Sequence, residues 1–172
     1  MLKVNLAAMC FGIAMMLPVV PSLRAQTPAA PLPSQILAAK KVFIANAGGG
    51  FDKEMWTGEP SRTYNEFYAA IGTWGRYELV GSPAEADLVF QISITSSARV
   101  LGQEVVPWFQ VRLAILDPKT NVVLWALDEF IPEKPGMGMI FKKNRDKEFE
   151  DGLNRIVSDL KALTVQPAAI AK

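Results

Sequence analysis

The sequence contains no histidine, and its single cysteine, Cys10, lies in an apolar run near the amino terminus. Without histidine the chain cannot form a Ser-His-Asp triad or use imidazole as a general acid or base. Because we expect the segment with Cys10 to be removed, the mature protein has no cysteine nucleophile and no disulfide bond. Zinc, copper and haem sites also lose their usual ligands. We therefore expect no cofactor and no metal site.

An excess of charge of either sign is also missing. The chain of 172 residues carries 18 Lys and Arg against 17 Asp and Glu, a net charge of +1. This balance gives no electrostatic reason to expect nucleic acid or an anionic membrane surface as a partner. The hydrophobic content of 50% is sufficient for one globular domain with its own core.

The first 25 residues have the parts of a secretory signal peptide. Lys3 supplies a positive start, residues 6–20 form an apolar run, and Ala25 is a small residue at a suitable cleavage point. The run is shorter than the about 20 residues that usually span a bilayer. We expect residues 1–25 to be cleaved and the protein to be periplasmic or secreted. An uncleaved membrane anchor is the alternative.

The remaining sequence predicts one domain between two irregular segments. Residues 26–36 are rich in Pro and Ala and uncharged, which is typical of an extended linker. Residues 37–164 are predicted to form a single α/β domain, and residues 165–172 a flexible tail.

Two helices are predicted, at 59–74 and 144–164. In the first, Thr63 and Glu66 have the spacing of a capping box. Its apolar stripe is predicted to be Tyr64, Phe67, Tyr68 and Ile71. In the second helix, apolar residues recur at helical spacing, namely Phe149, Leu153, Ile156, Val157, Leu160 and Leu163.

Five strands are predicted, at 40–46, 77–80, 88–96, 107–117 and 122–131. Apolar and polar residues alternate in the third and fourth strands, so that one face is buried and the other, around Gln91 and Arg112, is at least partly open to water. The sequence "PKTN" between the last two strands indicates an antiparallel hairpin. The pattern predicts an α+β two-layer sandwich, a mixed sheet with two helices on one face.

A family resemblance rests on two motifs. Pro83, Glu85, Ala86 and Asp87 form a "PxEAD" turn before a long strand, and "DxxTxxxxW" in the hairpin begins at Asp117. Over residues 40–164 this arrangement resembles small exported bacterial α/β proteins of unknown function. It is similar to the amino-terminal domain of TolB and to LpoB-type and curli-secretion-type lipoproteins. The resemblance implies an accessory envelope domain without catalytic residues, although this chain lacks the lipid-attachment motif of the lipoproteins.

The glycines at 48–50 follow a strand, as in several nucleotide-binding loops. A phosphate site needs the glycines to lead directly into a helix, where free backbone N–H groups face the anion. Here about ten residues intervene, and no Lys-Ser/Thr pair follows. We interpret the glycines as a flexible turn by which the chain leaves the sheet.

The sequence also suggests where a partner binds. Long loops at 47–59, 97–106 and 132–141 are expected at one end of the sheet, because the strands before them run in the same direction. Apolar side chains in these loops are the candidate partner-binding residues, namely Phe51, Met55, Trp56, Met137 and Met139. Trp56 would be the main anchor, although packing onto the domain is an alternative for it.

The resulting hypothesis is a non-catalytic exported module that binds a protein or another envelope component. The alternative is a small-ligand carrier that uses the open sheet face or the long loops. A third possibility is a hydrolase that relies on carboxylates or on a Ser-Lys pair. The acidic loop residues Asp52, Glu54 and Glu59 offer neither a rigid catalytic pair nor calcium-loop spacing.

Overall fold

The computed structural model describes residues 30–49, 56–101, 103–131 and 142–165, without the side chains of 98, 99, 101, 104–107 and 142–144. Residues 31–172 form one compact unit. The elements in chain order are α1 (Ser34–Ala38), β1 (Lys41–Gly49), α2 (Arg62–Trp74), β2 (Glu78–Leu79), β3 (Leu88–Leu101), β4 (Glu104–Leu116), β5 (Val123–Ile131) and α3 (Lys142–Val165), with a 3₁₀ turn at Pro83–Glu85.

The strands form one mixed sheet in the order β2-β1-β3-β4-β5. β1 is parallel to β2 and β3, whereas β4 is antiparallel to β3 and β5. β1, β3 and β5 therefore run in one direction and finish towards the same end of the sheet, as predicted. The sequence had left the direction of β2 open.

Strict alternation in β3 and β4 separates the two faces of the sheet. Every second side chain is a buried apolar one, namely Leu88, Phe90, Ile92, Ile94, Phe109, Val111, Leu113 and Ile115. We call this side the inner face. α2 and α3 pack on it with buried residues such as Phe67 and Phe149, in one continuous core. The predicted α+β architecture, with both helices on one face of a mixed sheet, is confirmed.

The predicted "PKTN" hairpin is confirmed. The backbone N–H of Asp117 donates to the carbonyl of Val122 over 3.0 Å and closes the turn. Asn121 has a φ of 58°, a left-handed conformation that asparagine tolerates better than most residues. The carboxylate of Asp117 accepts hydrogen bonds from the Lys119 N–H and the Thr120 hydroxyl, which hold the turn from inside.

The predicted loop at 97–106 is wrong, because these residues extend the two strands. β3 runs to Leu101, which pairs with Glu104 of β4. β1 accompanies β3 only as far as Ile94, and β5 accompanies β4 only up to Phe109. In the described part of the chain, 97–101 and 104–108 therefore pair only with each other, and we call this two-stranded extension the arm. No apolar alternation marked it, because residues 95–99 are polar or small.

The domain also begins earlier than predicted. Helix α1 starts at Ser34, inside the segment expected to be a linker, and Ile36 is 0% exposed. Leu32 packs against the same core. One isoleucine in a Pro/Ala-rich segment shows no periodicity, which is why the boundary was placed after it.

Helix α2 begins at Arg62, later than predicted, and the capping box is wrong. Ser61 is the N-cap and its side chain forms no capping bond. Thr63 lies inside the helix and is buried, while Glu66 binds Arg62 instead of a backbone N–H. Gly75 ends the helix with a φ of 68°, as expected.

The predicted stripe of α2 is confirmed for Phe67 and Ile71, which are buried, and for Tyr64, which is half-buried against the core, but it is wrong for Tyr68. Thr63 is the third buried residue of the helix, whereas Tyr68 is exposed. Tyrosine is apolar enough to count in a periodicity pattern, but its hydroxyl can remain in water at the rim of the core.

Candidate functional site on the outer face of the sheet

Trp56 is part of the core, so its assignment as an exposed anchor is wrong. Its side chain is 1% exposed. The indole ring meets Phe109 of β4 edge-on at a centroid distance of 4.5 Å and lies 5.8 Å from Phe149 of α3. It therefore joins the inner face of the sheet to α3, the packing role that the sequence left as the alternative.

An ionic cluster next to Trp56 fixes this part of the chain. Arg62 donates to Asp146 of α3 over 2.6 Å, to Glu66 over 2.6 Å and to the carbonyl of Thr57 over 2.9 Å. Its guanidinium lies over the ring of Phe149, 4.7 Å from the centroid. Burial alone would lower the pKa of Arg62, but the bonds to Glu66 and Asp146 raise it above its ordinary value. The charge is therefore permanent, and the cluster is structural.

The other predicted site residues, Phe51, Met55, Met137 and Met139, lie outside the described residues. So do the acidic residues Asp52 and Glu54. Their role in binding stays a prediction. Glu59, the third acidic residue of that loop, is exposed.

Gly48 and Gly49 do not take the chain out of the sheet. β1 continues through a bulge, and Gly49 pairs with Ile94 of β3. Asn46 accepts a hydrogen bond from the Gly48 N–H through its side-chain oxygen, over 2.9 Å. Gly50 lies outside the described residues. Since α2 starts only at Arg62, the glycines do not lead into a helix.

The side of the sheet opposite the inner face carries no described helix. Register and alternation place a defined set of side chains there. We call this set the outer face: Phe43, Ala45, Val89, Gln91, Ser93, Thr95, Ser97, Trp108, Gln110, Arg112, Ala114, Leu116, Ala126, Asp128 and Phe130. The prediction that the face around Gln91 and Arg112 is at least partly open to water is confirmed, because Thr95 and Arg112 are exposed.

An aromatic pair lies at one end of the outer face. Trp108 of β4 and Phe130 of β5 meet edge-on, with ring centroids 5.1 Å apart. Phe130 is 48% exposed although it is a large apolar side chain. Gln110 lies next to both in the sheet, since it follows Trp108 by two positions and pairs with Phe130.

Polar and small residues occupy the rows next to the aromatic pair. Arg112 and Asp128 are directly opposite each other, and their closest charged atoms are 3.8 Å apart. Ser93 lies beside Arg112 on β3. In the following row, Ala114 and Ala126 lie side by side next to Gln91 of β3, so only short side chains lie between β4 and β5 there. The face is therefore amphipathic and low in relief at its centre.

Sequence reasoning identified the polar residues of this face but missed its aromatic ones. In a strand, residues two positions apart point to the same face. Trp108 therefore shares the face of Gln110 in β4, and Phe130 that of Asp128 in β5. This spacing is the signal that could have found the two aromatic residues. It was obscured because an aromatic residue in a strand is expected to point towards the core.

Within the described residues, no group of three or more acidic, histidine or cysteine side chains is arranged to hold a metal ion. No helix in the described ranges combines the length and the apolar character that crossing a bilayer requires.

No family model matches the sequence, and no curated protein matches it either. The resemblance to TolB-like envelope domains therefore stays a prediction. Solved structures with a partly similar fold come from bacteria. A hypothetical protein from Chlamydia trachomatis is 12% identical, with a TM-score of 0.49, and the match covers 74% of this chain and 99% of that one.

Two further structures show likeness of the same order. A protein from Xanthomonas campestris is 13% identical, with a TM-score of 0.47 and coverage of 77% of this chain and 85% of that one. An uncharacterised lipoprotein from Nitrosomonas europaea is 16% identical, with a TM-score of 0.43 and coverage of 77% and 86%. At this identity and these scores, the likenesses carry no functional conclusion for this chain.

Proposed function

We propose that the protein is an exported, non-catalytic module that binds a partner protein through the outer face of its sheet. The observation that carries this proposal is the exposed ring of Phe130, which packs edge-on against the half-buried Trp108 on the outer face. Large apolar side chains left open on a sheet face mark interaction surfaces more often than scattered single ones do. Aromatic residues are also those that most often dominate binding energy at interfaces.

Export and the lack of catalysis are supported by the sequence. Residues 1–25 have the parts of a signal peptide, and the chain has no histidine. Three of the ionisable groups with shifted pKa values have structural roles. Asp146 and Arg62 hold α2 to α3, and Asp117 closes the β4–β5 turn.

A protein suits the outer face better than a small molecule does. Small-molecule sites are concave and enclose most of their ligand, whereas this surface is the open side of a sheet. The low row at Ala114 and Ala126 allows another backbone to approach closely. Arg112 and Asp128 beside it offer one charge of each sign at the rim, which favours orientation of the partner over affinity.

Photo-crosslinking in the native bacterium tests the proposal. A photoreactive phenylalanine analogue replaces Gln110, between Trp108 and Phe130, in one variant. In the matched control it replaces Tyr68, which is exposed on α2 on the other side of the molecule. We expect a discrete protein adduct from position 110 only, which mass spectrometry then identifies.

The purified partner then allows a quantitative test. Phe130→Ser should weaken its binding by about tenfold or more, in line with the loss of an interface aromatic, while Tyr68→Ser should leave binding unchanged. Equal adducts from both positions, or an unchanged Kd in a folded Phe130→Ser variant, would contradict the proposal.

A further inference from the structure

A second feature of the chain has the shape of a small-molecule site. At the end of the sheet where β1 and β3 begin, a cavity of about 550 Å³ opens between α1, the start of β3 and the β4–β5 turn. This volume lies within the range of small-ligand pockets. Its apolar lining is mainly alanine, with one proline, and its charged lining comes from Lys40, Asp87, Asp117 and Lys119.

Two carboxylates line the cavity and differ in their free bonding capacity. Asp117 uses both oxygens, on the Lys119 N–H and on the Thr120 hydroxyl. Asp87 accepts the backbone N–H groups of Lys40 and Lys41 with Oδ2 only, over 2.8 and 2.9 Å. Among the described residues, Asp87 Oδ1 has no hydrogen-bond donor, so it can accept one from a ligand. The two backbone bonds hold the carboxylate in place and lower the pKa of Asp87.

Two ammonium groups line the same cavity. Within the described part of the chain, the side chains of Lys40 and Lys119 form no ion pair, whereas Lys41 next to them pairs with Glu78. Lys119 lies on the β4–β5 turn and Asp87 precedes β3, so the two groups reach the cavity from different segments. The Lys119 ammonium and the fixed Asp87 carboxylate thus line one cavity together with Ala38, Ala39 and Ala86, and we call these three alanines the alanine floor.

We propose that this cavity binds a short zwitterionic peptide, with the peptide ammonium on Asp87 Oδ1 and its carboxylate on Lys119. Two positive and two negative side chains leave no net charge, which matches a ligand that carries one charge of each sign. A simple anion would meet both aspartates, and a simple cation both lysines. The alanine floor accepts small side chains, and the volume exceeds what a single small amino acid fills.

Nuclear magnetic resonance titration of the protein with dialanine tests this site. We expect saturable shifts of the backbone amides of Ala38, Ala39 and Lys119, and no shifts on the outer face. Free alanine should bind more weakly, because it does not extend across the cavity. Acetylation of the dialanine amine or amidation of its carboxylate should each weaken binding by about fivefold, the loss expected for one solvent-accessible ion pair.

A protein variant checks the assignment of the carboxylate. Lys119→Gln should bind dialanine and its amide equally, whereas Lys161→Gln, an equal charge loss on α3, should keep the preference for the free carboxylate. Binding that is insensitive to both blocking groups, shifts spread over other surfaces, or no saturable shift at millimolar dialanine would overturn the proposal. The experiments with blocked dialanine use the unchanged protein, so they remain decisive even if a substitution at Asp87 would disturb the fold. The outer-face proposal does not depend on any of these outcomes.

Discussion

Gly49 occupies a position where a side chain has no room. Its φ is 124°, and a Cβ atom would lie 1.7 Å from the carbonyl oxygen of Ile94 on the adjacent strand. Gly48 has a φ of 70° but open space around it. Both glycines have a positive φ, but only Gly49 lacks room for a Cβ atom. A comparison of alanine substitutions at the two positions therefore separates the destabilisation caused by backbone strain from that caused by the steric clash.

We expect Gly49→Ala to lower the free energy of unfolding by about 3 kcal/mol or more, since strand β3 would have to shift. Gly48→Ala, the control, should cost only about 1 kcal/mol, the penalty for a left-handed residue with a side chain. Urea denaturation of both variants measures the difference. Equal costs would show that β1 does not pair with β3 at the bulge.

The two tryptophans Trp56 and Trp108 should have opposite phenotypes. Trp56→Ala removes a fully buried ring between Phe109 and Phe149 and should cost about 3–5 kcal/mol of unfolding free energy. Trp108→Ala should cost clearly less and should instead weaken the crosslinked partner's binding. Thermal denaturation and a binding assay on the same two variants check this. Similar destabilisation by both would place Trp108 in the core.

Asp146 gives stability a defined dependence on pH. Burial alone would raise the pKa of its carboxyl, but the bonds from Thr57 and Arg62 outweigh this and hold the pKa below its ordinary value of 3.8. A group with a depressed pKa stabilises the fold above its unfolded pKa and stops doing so as the pH falls through its folded pKa. Asp146→Asn should therefore be destabilising at neutral pH.

The stability difference between wild type and Asp146→Asn should shrink as the pH falls below 3.8. Denaturation curves of both proteins over the acidic range provide the measurement, and Asp159→Asn on the same helix is the control. A difference that stays constant with pH would mean that the carboxylate is not bound by Thr57 and Arg62.

At the level of elements, the two edges of the sheet are protected differently. β2 has only two residues, so one edge is too short to recruit another chain. β5 has nine residues and is longer, but Arg155 of α3 donates to the carbonyl of Phe130 over 3.1 Å and pairs with Glu129 over 2.9 Å. Arg155 thus occupies an acceptor that another strand would use.

We expect Arg155→Gln to promote self-association, because it frees the Phe130 carbonyl and leaves Glu129 without this partner. Arg155→Lys should remain closer to wild type, since it keeps the positive charge next to Glu129. Sedimentation velocity over a concentration series measures the effect. If Arg155→Gln stays as monodisperse as wild type, the β5 edge is protected by other means.

The sequence predicted those elements whose patterns report burial directly. Apolar and polar residues alternate in β3 and β4, and apolar residues recur at helical spacing in α3. The spacing of the apolar residues was therefore enough to predict the buried face of each element. The arm escaped prediction because its strands have no further sheet neighbours among the described residues, and residues 95–99 show no alternation. Pro107, predicted as the first residue of a strand, lies inside β4, in the part that no longer pairs with β5.

The candidate site was less predictable than the fold. Trp56 lies in an irregular segment, and only the tertiary contact with Phe109 and Phe149 decides that it is buried. Trp108 and Phe130 became neighbours through the register of β4 and β5, which the turn geometry sets and single side chains do not reveal. Local patterns thus located the outer face but not its most exposed aromatic residue.

For the molecule as a whole, the domain boundary lies before α1. A chain that begins at Pro31 retains Leu32 and Ile36, and it should unfold in one transition with the stability of the longer chain. A chain that begins at Leu37 loses a fully buried isoleucine and should have a markedly lower Tm. Ile36→Ala should reproduce a loss of about 2–4 kcal/mol, and Ser34→Ala, exposed in the same helix, should not. Equal melting temperatures for the two chain lengths would put the boundary back after residue 36.

The strand order has a consequence for the time course of folding. β3, β4 and β5 pair across the two residues of 102–103 and the short turn of Asp117–Val122, whereas β1 must find β3 across about 40 residues of chain. Short-range pairing closes faster than long-range pairing. The meander of β3, β4 and β5 should therefore form in the folding nucleus and β1 should dock late. In pulse-labelling hydrogen exchange, the amides of Leu113 and Leu127 would then gain protection before those of Val42 and Ile44.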